Sequence, residues 1–427
     1  MIRETKDQSL LRMNTFGMDV RCGLFIEYDS ASDLCHIDFE KIPKPVMHIG
    51  GGSNILFSGD FKGTVLHSAI KFIEPLTEGN GRSQSPVEAE GPAGNQAVEQ
   101  LEEQSGNQPI NQVVNPTGKQ AANQAGNQIG NQTEESADNQ AGNRTRKQTG
   151  KENHSESGEA DKLLVRVGSG TVFDDVCAWA ASRGLWGAEN LSHIPGESGA
   201  AAVQNIGAYG VEFADLVRGV ECFDTLTGET VNFPKDECGY GYRESMFKRP
   251  GVKGRYIVAS VTIVLSRTAG PLLEYGNVRS AVDALLAERS AESPAVTPAI
   301  VREAIIGIRK AKLPEVGETG SAGSFFRNPV VPEAVYESVC RTVGPEVPVP
   351  HYVTEAGIKI PAAWLIDRCG WKGVRKGNAG VHDKQPLVIV NATGKAAPGE
   401  IIALKDAVAG SVKDRFGIDL VPEVEII

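Results

Sequence analysis

Apolar residues along this chain follow two periods, and one long stretch follows neither. From Pro45 to Glu74 the run PVMHIGGGSNILFSGDFKGTVLHSAIKFIE alternates in short apolar segments broken by glycine, which predicts strands joined by tight turns. Residues 162–187, KLLVRVGSGTVFDDVCAWAASRGLWG, predict a strand, a glycine turn and a helix with Phe173, Val176, Cys177, Ala180 and Ala181 on one face. Asp224–Gly228 reads as a turn between two strands, and Tyr256–Leu265 as a further strand. A helix is expected from about residue 295 through Val301, Ile305 and Ile308. Another carries Ile401, Leu404, Val408 and Val412 and ends at Gly417, followed by a strand over IDLVPEVEII. Strands and helices mix without a regular βαβ alternation, so the expected class is α+β.

The stretch without a period is 78–160. It cycles through AGNQ, IGNQ and related runs with almost no aromatic residues. Such a composition buries too little surface to offset its ordering entropy, so it is expected to be a disordered insertion in a surface loop. With 427 residues the chain suits two or three domains. A formal charge of −11 argues against a nucleic-acid partner, and no run approaches the roughly 18 apolar residues of a membrane helix. The first residues, MIRETKDQSLLRMNTFG, lack the apolar run of a secretory signal. Seven cysteines without a C-x-x-C pair read as reduced thiols of a cytoplasmic protein, and the seven histidines show no ligand spacing, so no metal site is expected.

Five stretches carry candidate chemistry. Gly50-Gly51-Gly52-Ser53-Asn54 follows an apolar run and could turn its amides toward one anion, or be a plain hairpin turn. It lacks the third glycine and the helix pattern of a dinucleotide fingerprint. Ile194–Gly210, IPGESGAAAVQNIGAYG, is dense in small residues, which suits close backbone approach to a flat ligand or tight packing on a sheet. In it, Gln204 and Asn205 supply amides, and Tyr209 a ring with a polar end. Arg243 follows two tyrosines in CGYGYRESMFK and could present its fork to a carboxylate, or simply stack at the surface. Ser324 lies in GSAGSFFRNP, either a turn residue or a working hydroxyl. The context is not the strand–elbow–helix of a nucleophilic serine, and no Ser-His-Asp set is evident. Glu423, in PEV, is either an edge charge or an inward acid whose pKa burial would raise.

Taken in order, NTFG (14–17), GGGSN, IPG…QNIGAYG, CGYGYRESMFK, GSAGSFFRNP, AAWLID…CGWKG, GNAGVHDKQPLV and PEV resemble the UDP-N-acetylenolpyruvoylglucosamine reductase family over nearly the whole chain except 78–160. The chain departs from the usual pattern at Glu197-Ser198, where Thr-Val is commoner, and at Ala200, where glycine is usual. The resemblance implies a two-part FAD-binding module of the vanillyl-alcohol-oxidase type over 1–77 and 161–308, and a smaller α+β substrate domain over 309–427. It implies non-covalent FAD, NADPH as reductant, the enolpyruvyl ether of UDP-N-acetylglucosamine as substrate, and a monomer. It assigns Arg243, Ser324 and Glu423 to catalysis, with Ser324 as proton donor. Gly50, Gly51, Gly52, Ser53, Asn54, Ile194, Pro195, Gly196, Gln204, Asn205, Gly207, Ala208 and Tyr209 are assigned to the cofactor. Tyr242, Tyr275, Lys312, Asn328 and Gln385 are assigned to the substrate, with Arg309 a weaker member of that set. Two other readings stand beside this one: a flavin-linked sugar or alcohol oxidoreductase of the same fold, and a non-catalytic protein that uses 78–160 for interaction.

Overall fold

The computed structural model describes residues 1–76, 161–289, 295–315 and 317–427. The insertion expected over 78–160 lies outside them. The N-terminal segment forms β1 (Ile2–Ser9), β2 (Arg21–Tyr28), a single helical turn α1 (Ala31–Leu34), β3 (Val46–Ile49), β4 (Ile55–Leu56) and β5 (Phe61–Ser68). Four of these strands make one sheet in the order β1-β2-β5-β3, with β5 parallel to both its neighbours. A parallel strand paired on both sides is buried along its length, and in β5 every residue from Gly63 to Ser68 is buried, the polar Thr64, His67 and Ser68 included.

A second sheet holds the middle of the chain. Its elements are β6 (Ile73–Leu76), β7 (Lys162–Gly168), α2 (Phe173–Ser182), α3 (Ser198–Gln204), β8 (Gly207–Ala208), β9 (Val211–Glu212), α4 (Phe213–Leu216), β10 (Val217–Asp224), β11 (Thr230–Pro234), β12 (Tyr256–Ser266), α5 (Val278–Glu288) and α6 (Pro298–Lys312). The strands pair in the order β11-β10-β12-β7-β6, antiparallel throughout. The face of α2 that buries Phe173, Val176, Cys177, Ala180 and Ala181 is the one its periodicity predicts. Helix α6 starts where Thr297 accepts from the Ile300 amide and Pro298 takes the first position, and it buries Val301, Ile305 and Ile308.

The last segment forms β13 (Gly320–Ser324), β14 (Val330–Val331), α7 (Glu333–Val343), β15 (Tyr352–Thr354), β16 (Gly357–Lys359), α8 (Ala362–Arg368), β17 (Arg375–Lys376), β18 (Ala379–Val381), β19 (Val388–Asn391), α9 (Pro398–Phe416) and β20 (Glu425–Ile426). Helix α9 packs on the small sheet β13-β19-β18-β17, burying Ile401, Leu404, Val408 and Val412 and ending on left-handed Gly417, while α7 packs against both α9 and β16 of the sheet β14-β16-β15. The strand expected over IDLVPEVEII is far shorter than its pattern suggests. Only Glu425–Ile426 pairs, parallel to β4, because Pro422 has no N–H to give a ladder and meets Phe326 as an isolated bridge. This segment shares its core with the N-terminal one: Leu10, Phe16, Met18 and Phe57 pack in one cluster with Phe325, Phe326, Val412 and Phe416. A smaller cluster joins the first two sheets through Ile26, Tyr28, Phe223 and Ile257.

Candidate active site

A cavity of about 460 Å³ opens between these elements, in the size range of small-molecule clefts. One wall is the turn after β3. Gly52 has φ +63°, and a Cβ there would lie 2.0 Å from the Met13 carbonyl oxygen, so only glycine fits. Ser53 Oγ donates to the Pro195 carbonyl at 2.9 Å, tying this turn to the loop that precedes α3. The small residues of 194–210 resolve into helix α3 laid close against the second sheet. A Cβ on Gly199 would stand 2.8 Å from Ser169 Cβ, and the Gly199 amide donates to the Ser169 carbonyl at 2.9 Å.

Arg243 and Glu423, 180 residues apart in sequence, meet in this cavity. Arg243 Nε donates to Glu423 Oε1 at 2.9 Å, Nη2 to the Gly207 carbonyl at 2.7 Å and Nη1 to the Asn205 carbonyl at 3.3 Å. Burial opposes the charge on Arg243, but Glu423 together with Tyr242 and Glu212 outweighs it, so its pKa is raised and it stays a cation. Its backbone is left-handed, φ +55°, a costly conformation for a residue with a long side chain. The other carboxylate oxygen of Glu423, Oε2, is buried with no hydrogen-bond partner among the described residues. A buried unpaired acceptor beside a cation is where a bound group would complete the set. Glu423 is held by its amide on the Phe325 carbonyl at 2.8 Å and by Asn54 Nδ2 on its own carbonyl at 3.2 Å.

Ser324 ends β13 on the cavity wall, and its hydroxyl makes no hydrogen bond with a described residue. Its position comes from a slip in the β13–β19 register between Ser321 and Ser324, where Gly323 takes φ +68°. Such a bulge re-aims the side chain that follows it. The adjoining Phe325 and Phe326 are fully buried in the shared core and fix the strand end.

Of the residues expected at the cofactor, Gly50, Gly52, Ser53, Asn54, Ile194, Pro195, Gly196, Gln204, Gly207 and Ala208 line the cavity with Arg243, Ser324 and Glu423. Gly51 lies in the same turn but off the wall. Asn205, buried and left-handed, spends its side chain on Glu212, Gly241 and the Ala214 amide. Tyr209 is buried behind the wall, edge-on to Tyr275 at 6.3 Å. The residues expected at the substrate stand off the wall. Tyr242 lies under Arg243, its ring 5.5 Å from the guanidinium carbon, and burial pushes its hydroxyl pKa up to about 12. Asn328 Oδ1 accepts from the Ala362 amide at 2.9 Å, and Gln385 is buried with Oε1 unpaired among the described residues. Lys312 sits half-buried in the last turn of α6, whereas Arg309, one turn earlier, reaches the cavity.

Several residues near the site were not singled out by the sequence reading. Lys248 lines the cavity and donates to Gln204 Oε1 at 2.9 Å and to the Arg243 carbonyl at 2.8 Å. Lys359 is buried with its ammonium 5.4 Å from the Tyr242 ring centre, and burial lowers its pKa. His48, half-buried on the wall, bonds to Tyr28 Oη at 2.8 Å, and desolvation pushes its pKa down to about 3, so it is neutral. His67 joins two carboxylates, with Nδ1 3.1 Å from Glu27 Oε2 and Nε2 3.1 Å from Glu197 Oε1. Lys248 closes the CGYGYRESMFK stretch without having been singled out in it, and Lys359 comes from β16, a segment with no candidate motif. Among the described residues no helix is long and apolar enough to cross a membrane.

Residues 315–427 match the family model described as UDP-N-acetylenolpyruvoylglucosamine reductase, C-terminal domain, and residues 148–234 match that of an FAD binding domain. A UDP-N-acetylenolpyruvoylglucosamine reductase of Bacteroides fragilis (strain YCH46) is 37% identical over 420 residues, covering 98% of each chain. One of Porphyromonas gingivalis (strain ATCC 33277) is 32% identical over 431 residues, covering 99% of this chain and 98% of its own. The crystal structure of the corresponding reductase from Thermus caldophilus aligns over 100% of this chain and 98% of its own with a TM-score of 0.53 at 18% identity, a likeness of fold.

Proposed function

Because the chain belongs to the UDP-N-acetylenolpyruvoylglucosamine reductase family, we propose that its cavity reduces the enolpyruvyl ether of UDP-N-acetylglucosamine to the lactyl ether of UDP-N-acetylmuramate, with NADPH as the electron source. The residues fit FAD: a glycine turn closed to any side chain at Gly52, a small-residue helix packed on the sheet, and an unpaired acid oxygen beside a buried cation. FAD held there would supply hydride transfer, from NADPH to C3 of the enolpyruvyl group. The chain's own residues handle the charge and the proton.

Hydride arrival at C3 places negative charge on C2 and the substrate carboxylate. Arg243, kept cationic and pinned by two carbonyls and Glu423, meets that charge without having to reorganise. Ser324 Oγ gives its proton to C2 and recovers one from water. A serine hydroxyl is a weak acid, and it serves here because the acceptor is a strongly basic carbanion held within reach. Glu423 fixes Arg243 and assists from the other side of the substrate carboxylate, with Oε2 left free to meet a bound group. The turn at Gly50–Asn54 and the loop Ile194–Gly196 hold the cofactor, with Gln204, Gly207 and Ala208 along it. Asn205 and Tyr209 support that wall from behind. Tyr242, Tyr275, Lys312, Asn328 and Gln385, with Arg309 at the cavity, hold the nucleotide end of the substrate once the loops around them close. The divisions 1–77 with 161–308 for the cofactor and 309–427 for the substrate follow the same reading, as do a monomeric state and a cytoplasmic location.

The observation that carries this is the Arg243–Glu423 pair with Ser324 on one cavity wall. Purified protein is expected to be yellow with a releasable flavin and to oxidise NADPH only when the enolpyruvyl substrate is present. Oxidation at the same rate without substrate, with oxygen consumed, would favour an oxidase of the same fold instead.

A further inference from the structure

One feature of the cavity wall runs against its expected ligand. Glu197 lines the cavity next to the glycine turn, and a Cβ on Gly50 would stand 3.2 Å from Glu197 Oε2. A carboxylate is thus placed beside the backbone amides that are to receive a diphosphate, where like charges repel. The remedy lies one residue deeper. His67, buried on β5, bonds to Glu197 Oε1 through Nε2 and to Glu27 Oε2 through Nδ1, each at 3.1 Å. A neutral imidazole has one donor and one acceptor nitrogen, so it cannot donate to two carboxylates at once. Only the imidazolium satisfies both. Arg3 Nη2 closes the chain at 2.5 Å from Glu27 Oε1.

We propose that the proton His67 holds between Glu27 and Glu197 is the counter-charge that lets the glycine turn accept the cofactor's diphosphate, making His67 a positioning residue that acts through Glu197. The inference rests on the reading above that this turn holds FAD. The groups facing His67 are few. Glu27 and Tyr28 come from β2, Arg3 from β1, His48 from β3 and Glu197 from the loop before α3, with the Phe25 ring stacked at 6.1 Å. Tyr28 and His48 are neutral near pH 7, the first because burial pushes its hydroxyl up and the second because burial pushes its imidazole down. Neither can replace the His67 charge. Burial disfavours the imidazolium, but Glu197 and then Glu27 outweigh burial, and the pKa of His67 is raised. The sign follows from that direction. The counter-charge is fully present below the ordinary histidine value of about 6.5 and is lost as pH climbs through the raised value.

The test is FAD affinity of apo-protein between pH 6 and 9, read by quenching of flavin fluorescence. Wild-type affinity is expected to fall on the alkaline side through a single proton, by of order tenfold, the effect of one charge roughly 10 Å away at an effective dielectric near 20. His67→Gln is expected to bind weakly at every pH. Glu197→Gln, with no charge to neutralise, should bind tightly at every pH, and the double variant should bind like Glu197→Gln. A purely structural brace predicts the reverse for the double variant, which would then be no better than His67→Gln. That outcome, or a wild-type affinity without pH dependence, overturns the proposal. Gly51→Asp separates the two levels: it adds a carboxylate to the turn, where a Cβ has room. If it leaves FAD binding intact, or if wild type binds no FAD at all, the flavin reading of this turn fails and the inference with it. If Gly51→Asp abolishes binding while wild type shows no pH dependence, only the role of His67 fails.

Discussion

At the scale of single residues, the site depends on a hydroxyl and a guanidinium whose side chains are ordinary and whose backbones are not. Ser324→Ala is expected to leave flavin reduction by NADPH near wild-type speed and to slow the substrate half-reaction by about 10²–10⁴-fold, the usual worth of a positioned acid. Stopped-flow absorbance of the flavin at each half-reaction checks it, and equal slowing of both halves would count against the assignment. Arg243→Lys keeps the charge but loses the fork that grips Glu423 and two carbonyls at once. Its kcat should fall by about 10²-fold or more, with bound flavin retained in the absorbance spectrum. Residue types at these places were legible in the sequence, because Arg243, Ser324 and Glu423 each sit in a distinctive short motif. Their environments were not. Nothing local in IPGES and LHSAI says that Glu197 and His67, 130 positions apart, share a hydrogen bond. Tyr242, Asn328 and Gln385 likewise read as contacts, and they are not among the residues that line this cavity.

At the scale of elements, periodicity placed the buried faces of α2, α6 and α9 because helix packing depends on local spacing alone. It misled over the final segment, where seven apolar or alternating positions before Glu425 pack without a ladder because Pro422 interrupts it. It also missed α3, whose Ser, Gly and Ala composition carries almost no apolar signal. The bulge at Gly323 is the element-level device that aims Ser324. Gly323→Val is expected to impair catalysis nearly as much as loss of the hydroxyl, since a β-branched residue at φ +68° costs of order 1–3 kcal/mol and tends to pull the strand back into register. Activity and thermal midpoint measured together check this; a fall in midpoint with normal kcat would show that the bulge matters only for stability. Gly52→Ala should abolish flavin binding, because its Cβ would stand 2.0 Å from the Met13 carbonyl oxygen; a yellow purified variant would refute that.

At the scale of the whole molecule, the α+β class was legible from the mixture of periods, whereas the joining of the first and last segments in one core was not, since no local pattern encodes contacts between residues hundreds of positions apart. The β6–β7 pairing brings Leu76 opposite Leu164, so the two ends flanking 77–160 are already adjacent in a hairpin. Replacing 79–159 by a short turn is expected to leave turnover unchanged by steady-state assay, and a folded deletion without activity would assign that segment a part in the chemistry. The shared core has a further consequence, for the order of events on the ribosome. Phe57 and Phe416 belong to one cluster, and about 360 residues separate them, roughly 20–70 s of synthesis at 5–20 residues per second. Throughout that interval the apolar face that the N-terminal strands share with the last segment has no cover, so the emerging chain is expected to bind holding chaperones until its final helix arrives.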